Sequence, residues 1–239
     1  MKVIGILQPG YLPWLGFFEQ LYRSDVFVLY DDVQYDKGGW RNRNRIKTGN
    51  GIQWLTVPVR FDFGDRPLVN EVLIDNTSNW RKRHATSICQ NYGKTPFFAL
   101  YWPIFEEAFD RQWDLLIDLD LYFIEQLAAC LGLAGRRMVR SSNLNISGDR
   151  IGRLLAICKH FDADVFYEGA AGCNYIDDRK FTDQGITVQY QNYQHPTYKQ
   201  LYGEFIPYLS VIDLLFNQGE QSRHILISNK GQGENLSNG

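Results

Sequence analysis

Residues 3–10 read VIGILQPG, and this apolar, β-branched run with its turn-forming end decides the fold. An apolar run of this length that stops at Gln8, Pro9 and Gly10 predicts a buried strand. Over residues 12–22 the apolar side chains recur at helical spacing, and residues 26–30 (VFVLY) again have the pattern of a buried strand. Two buried strands joined by a helix are typical of a βαβ unit, which predicts a parallel sheet covered on both faces.

The rest of the chain extends this unit to one Rossmann-like α/β domain over residues 1–228, with a helical segment at about 79–132. We expect a break at Pro103 within that segment, a loop or irregular hairpin arm at 33–50, and a disordered tail at 229–239. The other predicted strands or extended pieces are 54–59, 69–74, 138–139, 144–146, 165–167 and 187–191, and the other predicted helices are 147–159 and 209–216.

The composition is that of an ordinary globular protein, with 44% apolar and 22% charged residues among 239. A net charge of −2 excludes a general attraction to nucleic acid or anionic membranes, so any anion must be recognised locally. No apolar run approaches the ~20 residues of a membrane span, and no signal-peptide pattern is visible. The four cysteines show no metal-ligand spacing and lie in apolar or small-residue surroundings, which predicts buried, reduced thiols in a cytoplasmic protein.

The first candidate site is the turn after the first strand, residues 8–16 (QPGYLPWLG). Ligands of parallel sheets bind at the carboxyl ends of the strands, where helix amino termini present free N–H groups. Gly10 permits close backbone approach, Gln8 offers an amide, and Tyr11 and Trp14 could form a stacking wall. The alternative is a plain tight turn with a core tryptophan.

A second candidate follows the second strand, where Asp31 and Asp32 precede Gln34. Adjacent carboxylates repel, so at least one needs water, a hydrogen bond or a cation. They could accept hydrogen bonds from sugar hydroxyls, hold an amine or bind Mg²⁺. The structural alternative is an acidic residue in a turn or at a helix cap.

The third candidate is the basic stretch at 37–47, which carries five cations and no acid. In an extended segment Arg41, Arg43 and Arg45 would share one face, and guanidinium groups match phosphate oxygens. A solvated basic loop is the alternative. The patch fits a pyrophosphate better than a long nucleic acid. The ligand-binding residues predicted here are Trp40, Arg41, Asn42, Arg43 and Arg45.

Two further polar clusters follow later strands. Glu168 begins a glycine-rich turn that leads to Tyr175, where backbone amides could bind an anion, although the full dinucleotide-binding glycine spacing is absent. His195 lies before a proline in a polar, aromatic loop and is the best general-base candidate among the histidines. His84 could instead belong to the anion-binding patch.

Several of these stretches together resemble the WbqC-like family. The resemblance covers nearly the whole chain and implies an association with bacterial O-antigen and surface-polysaccharide gene clusters, with glycine or aminoacyl transfer to an amino sugar as the suggested activity. The matching stretches are QPGYLPWLG at 8–16, DDVQY at 31–35, WRNRNRIK at 40–47, WLTVP at 54–58, YEG at 167–169, YID at 175–177, QNYQHP at 191–196 and SVIDLLFN at 210–217.

At the level of the fold the chain is also similar to HIGH-motif nucleotidylyltransferases, which have the same order of strand, proline-containing turn, helix start and strand. The corresponding stretch here is WLGF at 14–17. It keeps the glycine but lacks both histidines that stabilise the transferred nucleotide, so the similarity implies a shared scaffold rather than nucleotidyl transfer.

The leading hypothesis is an acyl or aminoacyl transferase acting on a nucleotide-linked amino sugar. The arginines would bind the pyrophosphate, and His195, Asp31 or Asp32 would deprotonate the amine. The activated acyl donor would be an aminoacyl-tRNA or an acyl-CoA. The alternatives are a nucleotide-dependent ligase with Mg²⁺ on the paired aspartates, and a non-catalytic module that binds a sugar nucleotide or an RNA end.

Overall fold

The computed structural model describes residues 1–61, 64 and 66–228, so the predicted tail at 229–239 lies outside the described residues. The strands are β1 (Val3–Leu7), β2 (Val26–Leu29), β3 (Arg43–Thr48), β4 (Gly51–Thr56), β5 (Val59–Arg60), β6 (Leu73–Ile74), β7 (Arg137–Arg140), β8 (Val165–Glu168) and β9 (Thr187–Tyr190). The helices are α1 (Leu15–Arg23), α2 (Trp80–Tyr92), α3 (Phe98–Asp110), α4 (Leu116–Cys130), α5 (Arg150–His160), α6 (Arg179–Thr182), α7 (Val211–Gln218) and α8 (Gln221–Ser228).

The central sheet has five parallel strands in the order β7-β2-β1-β8-β9, which confirms the predicted α/β fold. β1 lies in the middle, with Leu7 opposite Leu29 on one side and Gly5 opposite Tyr167 on the other. The chain builds the sheet outward from β1 through β2 to β7, then returns to start again at β8. The strand order therefore reverses between β1 and β8, the position where open α/β sheets bind ligands.

The two faces of the sheet are covered by different layers. The larger core packs α1, the three helices α2, α3 and α4, and the carboxyl-terminal α7 and α8 around residues such as Phe27 and Phe123. The second core packs α5 and α6 against Ile4, Ile6 and Phe166. Alternate side chains of β1 point to opposite faces, so this one strand contributes to both cores. No helix in the described part of the chain is long and apolar enough to cross a membrane.

Several local predictions were wrong. Of the two alternatives predicted for 33–50, the hairpin arm is correct for its second half, but the arm is regular, since β3 pairs with β4 in an antiparallel hairpin outside the main sheet. Residues 69–71 form a 3₁₀ turn, so that only Leu73–Ile74 of the predicted strand 69–74 pair as a strand, and residues 144–146 form no strand. Helix α8 was missed because its sequence is largely polar and lies in a Gly- and Gln-rich stretch, although Leu226 is fully buried.

The helical segment at 79–132 is present, but Pro103 does not break it. Pro103 lies inside α3, and the interruptions fall instead between α2 and α3 and between α3 and α4. Proline removes one backbone donor from a helix interior. Packing offsets this loss here, because Trp102 stacks on Phe98 with ring centroids 5.1 Å apart and Phe105 packs on Phe216.

A buried polar network fixes α1 to the carboxyl ends of β8 and β9. The Glu19 carboxylate accepts hydrogen bonds from the Tyr167 hydroxyl (3.1 Å) and from Nε2 of Gln191 (2.6 Å), and it pairs with Arg23. Nε2 of Gln191 also donates to the Gly16 carbonyl oxygen at 2.8 Å. Buried polar groups stabilise a structure only when they are satisfied, so this network determines where the first turn of α1 lies on the sheet.

We expect Glu19→Ala to lower the free energy of unfolding by about 3 kcal/mol, because it leaves buried donors without an acceptor. Glu107→Ala is the matched control, since Glu107 also pairs with an arginine four residues on but is solvent-exposed. Its effect should stay below about 0.5 kcal/mol. Urea unfolding measures both, and equal losses would contradict the role assigned to Glu19.

Candidate functional site

A cavity of about 380 Å³ opens at the carboxyl end of β1. Its walls come from the end of β1, the turn that follows, the first helical turn of α1 and the start of the β3–β4 hairpin. Tyr208, a short distance before α7, completes them. Two of the residues that line it are cationic and none is acidic, so its local charge favours an anion. The lining residues are Leu7, Gln8, Gly10, Pro13, Trp14, Phe17, Trp40, Arg41, Asn44, Arg45 and Tyr208.

Two glycines allow the turn after β1 to take its shape. A Cβ on Gly10 would lie 2.8 Å from the carbonyl oxygen of Trp40, so only glycine lets the segment at 40–41 approach this closely. There the Tyr11 N–H donates to the carbonyl oxygen of Arg41 at 2.9 Å. A Cβ on Gly16 would overlap the Trp14 indole, which lies directly against α1. Both glycines therefore position wall residues of the cavity.

The Arg41 guanidinium stabilises the turn after β1 at the cavity. Its Nη1 donates to the carbonyl oxygens of Gln8 (2.9 Å) and Pro9 (3.1 Å). Its Nε is buried and has no hydrogen-bond partner among the described residues. Burial lowers the pKa of Arg41, and the charge of Asp120 acts in the opposite direction. A guanidinium nevertheless stays protonated in proteins, so this is a fixed positive charge with a free donor.

Arg45 and Arg43 lie on the same face of β3 but reach different places. Both contact the Trp54 ring, with distances to its centroid of 5.8 Å for Arg45 and 4.7 Å for Arg43. Arg45 also contacts Trp40 and donates from Nη2 to the Tyr208 carbonyl oxygen at 2.8 Å, while its Nε is buried and unpaired within the described structure. Arg43 instead donates to the carbonyl oxygens of the 38–39 turn and does not line the cavity.

The amino terminus of α7 joins the walls to one another. The Ser210 N–H donates to the Arg45 carbonyl oxygen and the Val211 N–H donates to the Pro13 carbonyl oxygen, both at 2.9 Å. Ser210 also forms an isolated bridge with Trp14. One short segment thus holds the turn after β1 against β3, although the two are separated by nearly thirty residues in the chain.

Backbone strain is found on two sides of the cavity. Leu12, in the turn, has φ = 46°, and Tyr208, in the opposite wall, has φ = 58°. A positive φ is uncommon for large side chains and persists only where the surroundings impose it, as happens at ligand sites. Tyr208 is also exposed and packs on Trp14 with ring centroids 5.7 Å apart.

Asp31 and Asp32 do not line this cavity, because both are engaged beside β2. Asp31 is fully buried, pairs with Arg140 at 2.6 Å and accepts from the Ser142 N–H at 3.0 Å. Burial raises the pKa of Asp31, but these hydrogen bonds outweigh it, and the pKa lies below its usual value. Asp32 pairs with Arg153. We therefore assign both aspartates to holding α5 and the segment after β7 in place.

No metal centre is formed by the residues that the structure describes, since no three His, Cys, Asp or Glu side chains come together there. The four cysteines are free, but their predicted burial holds only for Cys158, because Cys89 and Cys130 are half-buried and Cys173 is exposed.

His195 lies behind the cavity wall. Its ring packs against Tyr208 at 5.2 Å and Phe205 at 5.7 Å, and its Nδ1 lies 3.0 Å from the Pro196 carbonyl oxygen. Burial lowers its pKa, which keeps the imidazole neutral at neutral pH. His195 is not a lining residue, but it packs on the lining residue Tyr208 and, by way of Tyr193, lies behind the lining residue Trp14.

Other predicted site residues belong to the interior or to another surface. Tyr11 is fully buried, and its hydroxyl lies 2.9 Å from Nδ1 of His84, so neither the predicted stacking role nor the predicted anion contact is available to these two residues. Asn42 is buried and donates to the Val57 carbonyl oxygen. Gln34 is exposed and bridges to Leu68, away from the cavity.

The predicted patch of five cations is also split by the structure. Lys47 is buried and its Nζ donates to Gln200 at 3.0 Å, while Lys37 lies over the Phe61 ring. Only Arg41 and Arg45 of the five line the cavity. Alternation along β3 predicts which side chains share a face, but the contacts that bury Lys47 come from a segment about 150 residues away.

A second polar cluster occupies the same edge of the sheet at the end of β8. The Glu168 carboxylate is buried and accepts a hydrogen bond from the Tyr175 hydroxyl at 3.1 Å. The Arg150 guanidinium, at the start of α5, lies 3.9 Å from the centroid of the Tyr175 ring. Burial raises the pKa of Glu168 to about 7, and the hydrogen bond from Tyr175 opposes this rise.

Sequence reasoning missed Phe17, Asn44 and Tyr208 as cavity residues. Asn44 holds the turn by donating from Nδ2 to the Leu12 carbonyl oxygen at 2.7 Å. Alternation along the strand predicts that Asn44 points to the face opposite to Arg43 and Arg45. A polar side chain on that inner face signals a buried hydrogen bond, which Asn44 makes to the turn after β1. Tyr208 carried no comparable signal, since its place depends on α7 packing against β3.

Comparison with known proteins gives one family. The model of the WbqC-like protein family matches residues 8–225. The uncharacterized protein Rv1507c of Mycobacterium tuberculosis is 36% identical over 227 residues, which cover 93% of this chain and 96% of that protein. No solved structure matches the chain.

The burial of His84 predicts a pH dependence of stability. Burial lowers the pKa of His84 to about 4, whereas the unfolded chain takes up this proton near pH 6.5. The contribution of His84 to stability is therefore complete above that pH and falls by about 3 kcal/mol as the pH drops towards 4. In urea unfolding from pH 8 to 4, His84→Gln should remove this part of the decline. His160→Gln, at an exposed position, should retain it. Identical profiles for wild type and His84→Gln would contradict the assignment.

Proposed function

This chain belongs to the WbqC-like family, and from that premise we propose that it is an N-acyl or aminoacyl transferase acting on a nucleotide-linked amino sugar. The cavity at the end of β1 would bind the pyrophosphate and the sugar. The acyl group would come from an activated ester or thioester, such as an aminoacyl-tRNA or an acyl-CoA. The product would be an amide used in surface-polysaccharide biosynthesis.

The observation that carries this proposal is the pair of guanidinium groups, Arg41 and Arg45, among the residues that line the cavity. The Nε atoms of Arg41 and Arg45 are buried without a hydrogen-bond partner in the described residues. Buried donors are almost always satisfied in folded proteins, so these two arginines keep unused hydrogen-bonding capacity beside the cavity. Both belong to guanidinium groups, which match the oxygens of phosphate better than other side chains do.

The size and walls of the cavity support a small ligand with both polar and apolar faces. Its volume of about 380 Å³ falls at the lower end of the usual range for small-molecule sites, roughly 300–1,000 Å³. Trp14, Trp40 and Tyr208 present aromatic faces, which can pack on a sugar ring or stack on a base. A cavity of this size suits a small ligand such as a sugar nucleotide better than a long polymer.

The exposed rings of Trp40 and Trp54 extend the cavity onto the hairpin surface. The two rings lie 5.1 Å apart, and 44% and 43% of their surfaces are exposed. With Arg45 beside them they form a cationic, aromatic rim that supports binding of the nucleotide part of the ligand.

We expect Arg45→Ala to weaken binding of uridine diphosphate-glucosamine about 10- to 100-fold, because one charged hydrogen-bonding group is lost. Arg43→Ala is the matched control, since Arg43 lies on the same strand face and contacts the same tryptophan without lining the cavity. It should leave the affinity nearly unchanged. Isothermal titration at two salt concentrations measures both. Equal losses for the two variants would show that the hairpin surface, and not the cavity, binds the ligand.

The transfer itself predicts a change of mass. Nucleotide-linked amino sugars incubated with the protein and a candidate donor should gain one glycyl or acyl group, as seen by mass spectrometry. Sugars with an N-acetylated amine should gain none. Binding with no mass change in any donor mixture, including aminoacyl-tRNA and acyl-CoA, would favour a binding module over a transferase.

A further inference from the structure

We infer that Glu168 and Tyr175 form an acid–base pair, in which the Glu168 carboxylate binds the ammonium group of the amino sugar and takes its proton. The identity of the ligand rests on the proposed function. The site itself rests on the position, burial and hydrogen bonding of these two side chains, which lie outside the set of residues that line the arginine cavity.

Glu168 lies where the strand order reverses. It is the last residue of β8, and β8 pairs directly with β1. Gly5 is opposite Tyr167, so Glu168 is level with residue 6, and Gln8 of the cavity lies two residues further along. Strand spacing and rise then place the two Cα atoms roughly 8 Å apart. By alternation the Glu168 side chain shares the face of Ile6, on the α5 side of the sheet, so a ligand in the cavity reaches it across the edge of the sheet.

The chain around Glu168 is built to hold a carboxylate there. A Cβ on Gly172 would lie 2.3 Å from Cγ of Glu168, so only glycine leaves room for this side chain. The Tyr175 hydroxyl donates to Oε1 of Glu168 at 3.1 Å, and the Gly169 N–H also donates to the carboxylate. Only 6% of the Glu168 surface is exposed, whereas 39% of Tyr175 is exposed. The phenol therefore connects a buried carboxyl to the outside.

The groups that face Glu168 come from three elements. Arg150 and Cys158 belong to α5, Tyr190 belongs to β9, and Tyr175 follows the 3₁₀ turn after β8. Burial raises the pKa of Glu168 to about 7, against the effects of Tyr175, Gly169 and Arg150. A carboxyl group with such a pKa accepts and releases a proton near neutral pH, as a general base must.

The proton balance of the reaction needs such a group. Glu168 takes one proton from the sugar ammonium, and the freed lone pair attacks the carbonyl carbon of the ester or thioester donor. The new C–N bond forms as the bond to the leaving oxygen or sulfur breaks. The second amine proton neutralises the leaving group, which departs as an alcohol or thiol. The proton on Glu168 then passes to solvent by way of Tyr175.

Two ligands and three variants test this inference. Uridine diphosphate-glucosamine carries the ammonium group, and its N-acetylated form does not. Titration calorimetry of the wild-type protein should show tighter binding of the amine form. Glu168→Gln keeps the shape and the acceptor for Tyr175, and it should lose this preference while its affinity for the N-acetylated form is unchanged. Tyr175→Phe should keep the preference but slow the transfer.

Kinetics adds a readout that a purely structural role would not change. The rate of amide formation should fall about 100-fold or more in Glu168→Gln, with KM for the donor unchanged. In the wild type kcat/KM should rise with pH through about 7, the pKa of Glu168, and this rise should be absent in the variant. His195→Asn is the comparison variant and should retain the rise.

The outcomes separate this inference from the proposed function. A Glu168→Gln protein that keeps both the amine preference and the rate would overturn the inference alone. So would a loss of the pH-dependent rise in His195→Asn only. A wild-type protein that binds neither nucleotide sugar would contradict the proposed function and, with it, the assignment of Glu168.

Discussion

The buried guanidinium of Arg41 is the interaction on which the cavity depends. By donating to the carbonyl oxygens of Gln8 and Pro9, it sets the direction in which the chain leaves β1. The nearby carboxyl of Asp120 is fully buried and makes no hydrogen bond within the described residues, and burial raises its pKa well above the usual value. A guanidinium charge held away from bulk water is costly, and an anionic ligand in the cavity would relieve that cost.

The arginine alone would not make a cavity, because its walls come from three distant parts of the chain. Backbone hydrogen bonds of Ser210 and Val211 join the start of α7 to the β3–β4 hairpin and to the turn after β1, and the side chain of Asn44 joins the hairpin to that turn. Leu12 and Tyr208, which lie close to this meeting point in the chain, have positive φ angles. Strain of this kind is retained where surrounding contacts outweigh it, which fits a site whose shape matters more than its local stability.

The sequence was informative where local pattern determines structure. The apolar run before Gln8 and the alternation of Arg43 and Arg45 correctly indicated a parallel sheet and a shared face. It was uninformative where burial depends on distant segments. Lys47 is buried by residues near 200, and His84 is buried by packing between helices that no local pattern reveals. Long-range packing, and not residue type, decided which polar side chains became available to a ligand.

The reversal of strand order explains why one sheet edge carries two opposite kinds of chemistry. The segments that leave β1 and β8 turn to opposite faces of the sheet, so the cavity arginines lie on one side and the Glu168 carboxyl on the other. A ligand with only a phosphate would leave the Glu168 site unused, and a simple amine would leave the cavity arginines without an anion. A molecule that is anionic at one end and cationic at the other satisfies both sides. That requirement restricts the substrate more than either site does alone.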